Sequence, residues 1–512
     1  MQAMRSADGT ATEAHPLRAP GAILLVSCYE LGRQPLSVAN AAAILTASGF
    51  APQALDLARV PIDAEAVRRA RLIAVSVPMH TALRLGVAAA ERLRALNPEA
   101  CLCFYGLYAW LNAESLLAGP ADAVIGGECD EPLLSLAQSL AGAAATGMMD
   151  AAAGAGRNVP GVRTRTSDEG PWLARPRPLV PERSLLPAID GYVHIEADGE
   201  RLVAGQVESS RGCRHLCRHC PIPPVYGGRF FVVPAETVLE DARRQVEAGA
   251  RHLSFADPDF LNGPGHAMKV ARALHAAHPG ITFDFTAKIE HLVKHRDRLA
   301  ELRDLGCLFI ISAVESIDDR VLRILDKGHT RSDVEAVLAA TRAAGLTLRP
   351  TFVPFTPWTG LEGQRALIEF IVALDLVDAV DPIQTTIRLL VPPGSLLLEH
   401  EEMKPHLAGL DAARFTWTWR HPDPRVDALQ IESAAIVEAA ARAGEPAEGT
   451  FRKLAAAAGA TTVPAATDAA GADSRGSRRK RRPAPRLTEP WFCCAEPMEG
   501  QLAALRSDDA GV

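Results

Sequence analysis

Ser210-Arg-Gly-Cys-Arg-His-Leu-Cys-Arg-His-Cys220 sets three cysteines, Cys213, Cys217 and Cys220, at C-x3-C-x2-C spacing. That spacing brings three thiolates onto one tight loop. Soft sulfur ligands suit iron–sulfur centres, so the loop is built to hold three corners of a 4Fe–4S cluster. The fourth iron then has no protein ligand and stays open to a small molecule. A structural zinc site is the alternative, but zinc wants a fourth Cys or His at ordered spacing, and His215 and His219 crowd inside the loop itself. Ser209, Ser210 and Gly212 lead into it.

The chain around this loop has 512 residues, 48% of them apolar, with a formal net charge of −7. That length exceeds one ordinary core and predicts two to three domains. The charge gives no general affinity for nucleic acid or for membrane. No basic start with an apolar run behind it marks a secretory signal, and no apolar stretch is long enough to span a bilayer. Ten cysteines, three of them in the cluster loop, fit a reducing cytoplasm better than a disulfide scaffold. A cytoplasmic, oxygen-sensitive protein is expected.

Residues 1–20 read as disordered. From Ala22 onward, apolar runs alternate with Ala/Leu-rich helical stretches: strands at Ile23–Val26, Leu72–Val77, Cys101–Tyr105 and Ala123–Ile125, helices over Leu36–Ser48 and about Leu83–Leu96. The alternation predicts an α/β fold with a doubly wound, Rossmann-like parallel sheet over 21–142. A Gly/Pro-rich linker over 143–202 follows. A second βα series over 203–395 has strand-like runs at Leu253–Ala256, Thr282–Thr286, Leu308–Val314, Leu348–Val353 and Ile383–Leu389. It predicts a partial (βα)6 TIM barrel with functional residues at strand C-termini. Residues 396–455 are expected to be mostly helical and 456–489 to be a flexible basic linker carrying Arg478–Arg482. The chain closes on a Cys-Cys tail over 490–512.

Acids at strand ends are the candidates for gripping a cofactor. Asp257 and Asp259 end one strand, and Glu315 with Ser316 ends another that is wholly apolar. Each could instead be a helix cap or a solvated loop acid, because Asp and Ser favour caps. Lys288, Arg349 and Lys327 also lie near strand ends, where surface ion pairs are the expected role. Cys101, Cys103 and Cys307 sit in apolar strands and read as core.

The loop resembles that of radical S-adenosylmethionine (SAM) enzymes, with the aromatic His219 just before the last cysteine fitting the same pattern. The resemblance narrows to radical SAM proteins with a Cys-Cys-Ala-Glu-Pro tail, carried by Cys213–Pro234, Phe255–Gly265, Phe352–Trp358 and Cys493-Cys494-Ala-Glu-Pro497. Gly126-Gly-Glu-Cys-Asp-Glu-Pro132 resembles the end of the cobalamin-binding-like domain that precedes many such enzymes. What this implies is a 4Fe–4S cluster on Cys213, Cys217 and Cys220, and SAM held near His219, Asp257, Asp259, Glu315 and Ser316. A reducing partner such as flavodoxin or ferredoxin and a small-molecule substrate are implied too. Cobalamin domains that replace the lower axial ligand by histidine carry D-x-H-x-x-G after the first strand, whereas this loop reads Ser27-Cys-Tyr-Glu-Leu-Gly32; cobalamin would then bind without a protein ligand to cobalt, or the domain is a relic scaffold.

The vicinal Cys493 and Cys494 suit capture of a soft, thiophilic species, and the linker gives them a reach of about 25–30 Å. The architecture resembles arsinothricin-type enzymes, which join the 3-amino-3-carboxypropyl group of SAM to arsenic. That resemblance implies such a transfer here, with Cys493 and Cys494 delivering trivalent arsenic. The rival expectations are a cobalamin-dependent methyl transfer and a tRNA methylthiotransferase with a second cluster on Cys28, Cys101 or Cys103, and Cys129. A non-catalytic metalloid or redox sensor is the remaining one.

Overall fold

The computed structural model describes residues 16–145, 159–177, 179–461, 483–489, 496–497 and 499–506. Cys493, Cys494 and Arg478–Arg482 lie outside them.

The first sheet is built from runs that are apolar on both faces, as a parallel sheet covered by helices requires. Its strands are β1 (Ile23–Ser27), β2 (Gln53–Asp56), β3 (Leu72–Ser76), β4 (Cys101–Tyr105), β5 (Ala123–Ile125) and β6 (Val162–Thr164), in the order β2-β1-β3-β4-β5-β6. The first five pair in parallel and β6 is antiparallel at the edge. The chain winds one way from β1 to β2 and the other way from β3 onward. A topological switch point therefore lies between β1 and β3, where such sheets open a crevice at their strand C-termini. Cys101 and Cys103 are core residues here, as expected.

Strands β7 (His194–Ala197) and β8 (Glu200–Val207) open the second half of the chain. The short pair β9 (Ser210–Gly212) and β10 (Phe230–Val232) frames the cysteine loop, and β11 (His252–Phe255), β12 (Thr282–Thr286), β13 (Cys307–Glu315) and β14 (Thr347–Phe352) follow. β8, β11, β12, β13 and β14 pair in parallel in sequence order. They wrap a core that includes Phe255, Phe260, Phe283 and Phe285. This is the α/β half-barrel expected, with five strands and a vestige of the sixth. Ile383–Leu389 is not a strand: Pro382–Thr385 winds into a 3₁₀ turn, and a single bridge joins Phe355 to Arg388. The Thr385 and Thr386 hydroxyls donate to carbonyls three residues back, which holds the turn against extension.

Other expectations shift too. Residues 16–18 form a 3₁₀ turn with Leu17 buried, so the N-terminal segment is ordered from there. The expected linker over 143–202 supplies β6 to the first sheet and β7 to the second. Residues 396–455 are mostly helical as expected, through Pro424–Ala443 and the start of Ala447–Ala458, with a hairpin of β15 (Leu407–Asp411) and β16 (Thr416–Trp419) before them. Arg486–Leu487, expected as linker, is strand β17 and pairs antiparallel with β7. No described helix is long and apolar enough to cross a membrane.

Candidate functional site

The cysteine loop leaves β9 through Gly212, whose φ is +74°. A Cβ there would lie 2.5 Å from the Arg229 carbonyl and 2.6 Å from the Tyr226 ring, so only glycine closes the turn. Asn262 Oδ1 accepts from the Arg214 amide at 3.3 Å and takes a weak bond from Cys213 Sγ at 3.8 Å. Arg218 is tied to the carbonyls of Arg323 and Ile324. The loop is thus fixed at both ends. Cys213 and Cys217 are buried, Cys220 is half-buried and all three are free thiols. Burial pushes the Cys213 and Cys220 thiols up, and a metal must displace those protons.

Zinc at about 2.3 Å from each sulfur would draw three sulfurs to roughly 3.8 Å of one another. Among the described residues, only His215, Asp259 and His291 bring three ligand atoms within 4.8 Å. The three thiols do not all gather within 4.8 Å of one another, wider than one zinc ion would hold them. Cys101, Cys103 and Cys129 belong to the packing of one face of the first sheet and Cys28 to that of the other.

Glu315 ends β13 beside the loop, with φ +70°. A glutamate held there is strained by about 1–3 kcal/mol. Its Oε1 lies 3.1 Å from His219 Nε2 and 3.4 Å from Lys327 Nζ. Burial pushes this carboxyl up, but Lys327 and the bond to His219 outweigh it and hold the pKa at about 2. Burial likewise opposes the Lys327 charge, yet Glu315, Cys217 and Cys220 hold its pKa above the usual lysine range. Glu315 Oε2 and His219 Nδ1 are buried without hydrogen-bond partners. Buried polar atoms are nearly always satisfied, so these two are placed for a ligand. Ser316 instead turns its hydroxyl to the Asp318 amide at 3.1 Å.

The two acids after β11 part company. Asp257 accepts from the Ser209 amide at 2.9 Å and from the hydroxyls of Ser209 and Ser210 at 2.6 Å. Burial pushes its pKa up to about 6 against those bonds. It is a post that anchors the start of the loop, with its acceptors engaged, rather than an open cofactor ligand. Asp259 caps the turn Phe260–Asn262 through Oδ1 and leaves Oδ2 buried without a hydrogen bond. Lys288, Lys327 and Arg349 correct the expectation of surface pairs. All three are buried, with Lys288 on Glu290 and Arg349 on Asp381. His215 and His291 are the residues that the sequence did not single out as partners of Asp259. Lying far apart in the chain, they share no motif.

The C-terminal edge of the first sheet faces this loop. Arg211, just before Gly212, pairs with Glu128 at 3.0 Å, Asp130 at 2.9 Å and Glu208 at 2.6 Å, and Tyr226 Oη donates to Glu128 at 3.0 Å. The crevice at the switch point is filled from the far end of the chain. Tyr29, after β1, donates to Glu489 at 2.6 Å, and Glu489 packs on Gly32, where a Cβ would sit 3.1–3.3 Å from it. Arg84 and His80, opening the helix His80–Leu96 after β3, hold Glu496 at 2.7 and 3.3 Å. The helix Glu499–Arg506 packs against His80–Leu96 with Leu505 buried. Cobalamin is the group that domains of this kind imply. The loop after β1 offers no histidine, so a corrinoid in this crevice would have no protein ligand to cobalt from that loop, and Glu489 and Glu496 contact the crevice residues Tyr29, His80 and Arg84.

Residues 207–358 match the radical SAM superfamily. An uncharacterized methyltransferase of Pyrococcus horikoshii is 28% identical over 235 residues, 44% of this chain and 48% of the relative. The hopanoid C-2 methylase of Rhodopseudomonas palustris is 23% identical over 137 residues, 26% of each chain. The chain thus spans about half or less of the curated relatives' length. Among solved structures, TsrM from Kitasatospora setae, a radical SAM methyltransferase with tryptophan and a SAM analogue bound, aligns at TM-score 0.61. It is 17% identical, over 81% of this chain and 88% of that one. OxsB, a cobalamin-dependent SAM radical enzyme with aqua-cobalamin bound, aligns at 0.61, with 13% identity, over 82% and 67%. At these identities the likeness establishes a shared fold. Residues 207–358 thus carry a radical SAM domain, a kind of domain that works with a 4Fe–4S cluster and SAM.

Proposed function

We propose that the chain is a radical SAM transferase that methylates an organic acceptor at the barrel mouth, the reading the relatives favour: one SAM gives up its methyl group and leaves S-adenosylhomocysteine, and a second, cleaved reductively to methionine and a deoxyadenosyl radical, removes a hydrogen atom from the acceptor. The observation that carries it is the Glu315–Lys327–His219 group beside the cysteine loop, with buried acceptor and ring-nitrogen atoms left unpaired. When bound, the cluster supplies one electron and an open iron to SAM. Cys213, Cys217 and Cys220 hold it. Glu315 Oε2, an ionised acceptor, receives an N–H or O–H of the cofactor. Lys327 keeps that carboxylate charged and sets a positive charge near the Cys217 and Cys220 thiolates. His219 orients Glu315 through its other oxygen. A flavodoxin- or ferredoxin-like donor delivers the electron.

The methyltransferase relatives support methyl transfer, and the fold shared with TsrM and OxsB is consistent with it. A corrinoid, if held in the crevice of the first sheet, would supply the carrier for the methyl group. The second reading is aminocarboxypropyl transfer to trivalent arsenic, favoured by one feature. Glu489 and Glu496, which flank Cys493 and Cys494 in the chain, are both anchored on the sheet edge that faces the loop. Product analysis separates the two. Reconstituted, reduced protein with SAM should give a methylated acceptor on the first reading. Methylthioadenosine formed only with arsenite, and lost in Cys493→Ser/Cys494→Ser, would select the second.

A further inference from the structure

Three residues from three separate elements meet beside the cluster loop. His215 lies between Cys213 and Cys217, Asp259 follows β11, and His291 sits on the helix Ile289–Lys294 after β12. His215 Nε2 is 3.2 Å from His291 Nε2 and 3.7 Å from Asp259 Oδ2, which lies 2.8 Å from His291 Nδ1. Asp259 is completely buried, and neither its Oδ2 nor His291 Nδ1 makes a hydrogen bond. The close pair is out of line for an N–H···O contact. A buried carboxylate oxygen aimed at two imidazoles without a proton between them is expensive unless something else binds there.

Offering one atom each, the three side chains place those atoms within 4.8 Å of one another, a small side-chain rotation from the roughly 3.3 Å that ligands about 2.0–2.1 Å from a tetrahedral ion need. Two imidazoles and a carboxylate suit borderline divalent ions such as zinc, ferrous iron or cobalt. We propose that His215, Asp259 and His291 form a mononuclear divalent transition-metal site, separate from the iron–sulfur cluster and one turn of chain away from it.

The surroundings support that assignment. Asp259 is locked by its bond to the Leu261 amide, and Asn262 in the same turn accepts from the Arg214 amide, so acid and loop move as one piece. Glu290 Oε2 is 3.6 Å from His215 Nδ1, where it can accept the ring proton once Nε2 takes the metal. That carboxylate–histidine–metal arrangement is the usual support for a ligating imidazole. Lys288 Nζ, 3.0 Å from His215 Nδ1 and 3.1 Å from Glu290 Oε2, then stays on Glu290. Asp259 and Glu290 together outweigh Lys288 in charge. Three protein ligands leave at least one position for water or a substrate heteroatom. The ion would hold an acceptor there through an oxygen or nitrogen atom.

The test uses the full chain with Cys213, Cys217 and Cys220 changed to Ser, so that no cluster iron or loop thiolate competes. Cobalt(II) and zinc(II) are titrated against a chromophoric chelator, in this background and with His291→Gln, His215→Gln, Asp259→Asn or Glu290→Gln added. Thermal melts report folding. One equivalent of metal is expected that disappears, or weakens more than tenfold, in the His291, His215 and Asp259 variants. Glu290→Gln should weaken it about tenfold. The cobalt spectrum should show d–d bands from nitrogen and oxygen ligands without sulfur charge transfer. Identical stoichiometry and affinity in the background and in folded His291→Gln and His215→Gln overturn the proposal, as does no binding in the background. Should Asp259→Asn not fold, the two histidine variants decide. Because SAM is absent, the outcome does not depend on the transferase reading.

Discussion

Two strand edges face each other in this molecule; both leave buried polar atoms unpaired, but only one takes in a distant part of its own chain. On the barrel side, Glu315 Oε2, His219 Nδ1 and Asp259 Oδ2 are buried and unpaired. On the Rossmann-like side, the crevice residues find their partners within the chain: Tyr29 on Glu489, Arg84 on Glu496. The cost of leaving a polar atom unpaired in a protein interior is about 1–3 kcal/mol. An edge that keeps several such atoms awaits ligands. The Rossmann-like edge keeps Arg33 Nε and His80 Nδ1 unpaired as well, so the segment docked there satisfies it only in part.

The largest contrast comes from removing the barrel's metal ligands. Cys213→Ser, Cys217→Ser or Cys220→Ser should each abolish the charge-transfer absorbance of the cluster and reduce SAM cleavage to background, with the fold intact by circular dichroism. Next is Glu315→Gln, which strands the Lys327 charge in the interior. A loss of about 3–5 kcal/mol in denaturant unfolding is expected, with cleavage impaired. Glu315→Gln/Lys327→Met should recover most of the stability and none of the activity, separating ligand binding from support of the fold.

The pH dependence sharpens the comparison further. Glu315 has its pKa depressed to about 2, so its stabilisation is present above the unfolded glutamate pKa and is lost as pH falls from there toward 2. Asp257 is raised to about 6, so the folded state takes up a proton first. Wild type should therefore gain stability relative to Asp257→Asn as pH drops from 7 toward 5. Urea midpoints across that window check the sign.

The smallest effect concerns the filled crevice. Glu489→Gln/Glu496→Gln removes half-exposed contacts worth about 1 kcal/mol or less each. Stability should barely move, yet hydroxocobalamin binding to the folded protein should rise several-fold over wild type. Equal binding by both would show that the segment does not guard the crevice.

Much of this was legible in sequence where burial is one-sided or complete. Ile23–Ser27 and Cys101–Tyr105 are buried throughout and read as strands from their apolar runs. Gln53–Asp56 passed unnoticed because an edge strand carries polar residues. Ile383–Leu389 looked like a strand because Ile, Thr and Leu favour extension, but side-chain bonds to nearby carbonyls curl it. The three cysteines and Glu315 announce themselves through spacing and position after an apolar strand. Asp257 and Asp259 look interchangeable in sequence, and only the placement of Ser209, Ser210 and the two histidines distinguishes post from open ligand. The docked tail was hidden for a related reason. Glu489 and Glu496 lie beyond a basic, Gly/Ala-rich linker, and nothing local says that Tyr29 and Arg84 await them.

The central claim is that Cys213, Cys217 and Cys220 hold a cluster that cleaves SAM beside Glu315. Iron and sulfide content with SAM product analysis, on anaerobically reconstituted wild type and Cys217→Ser, tests it most directly. About four irons per chain and SAM consumption under reduction, both lost in the variant, are expected. Zinc in place of iron, or an intact cluster that leaves reduced SAM mixtures unchanged, would contradict it.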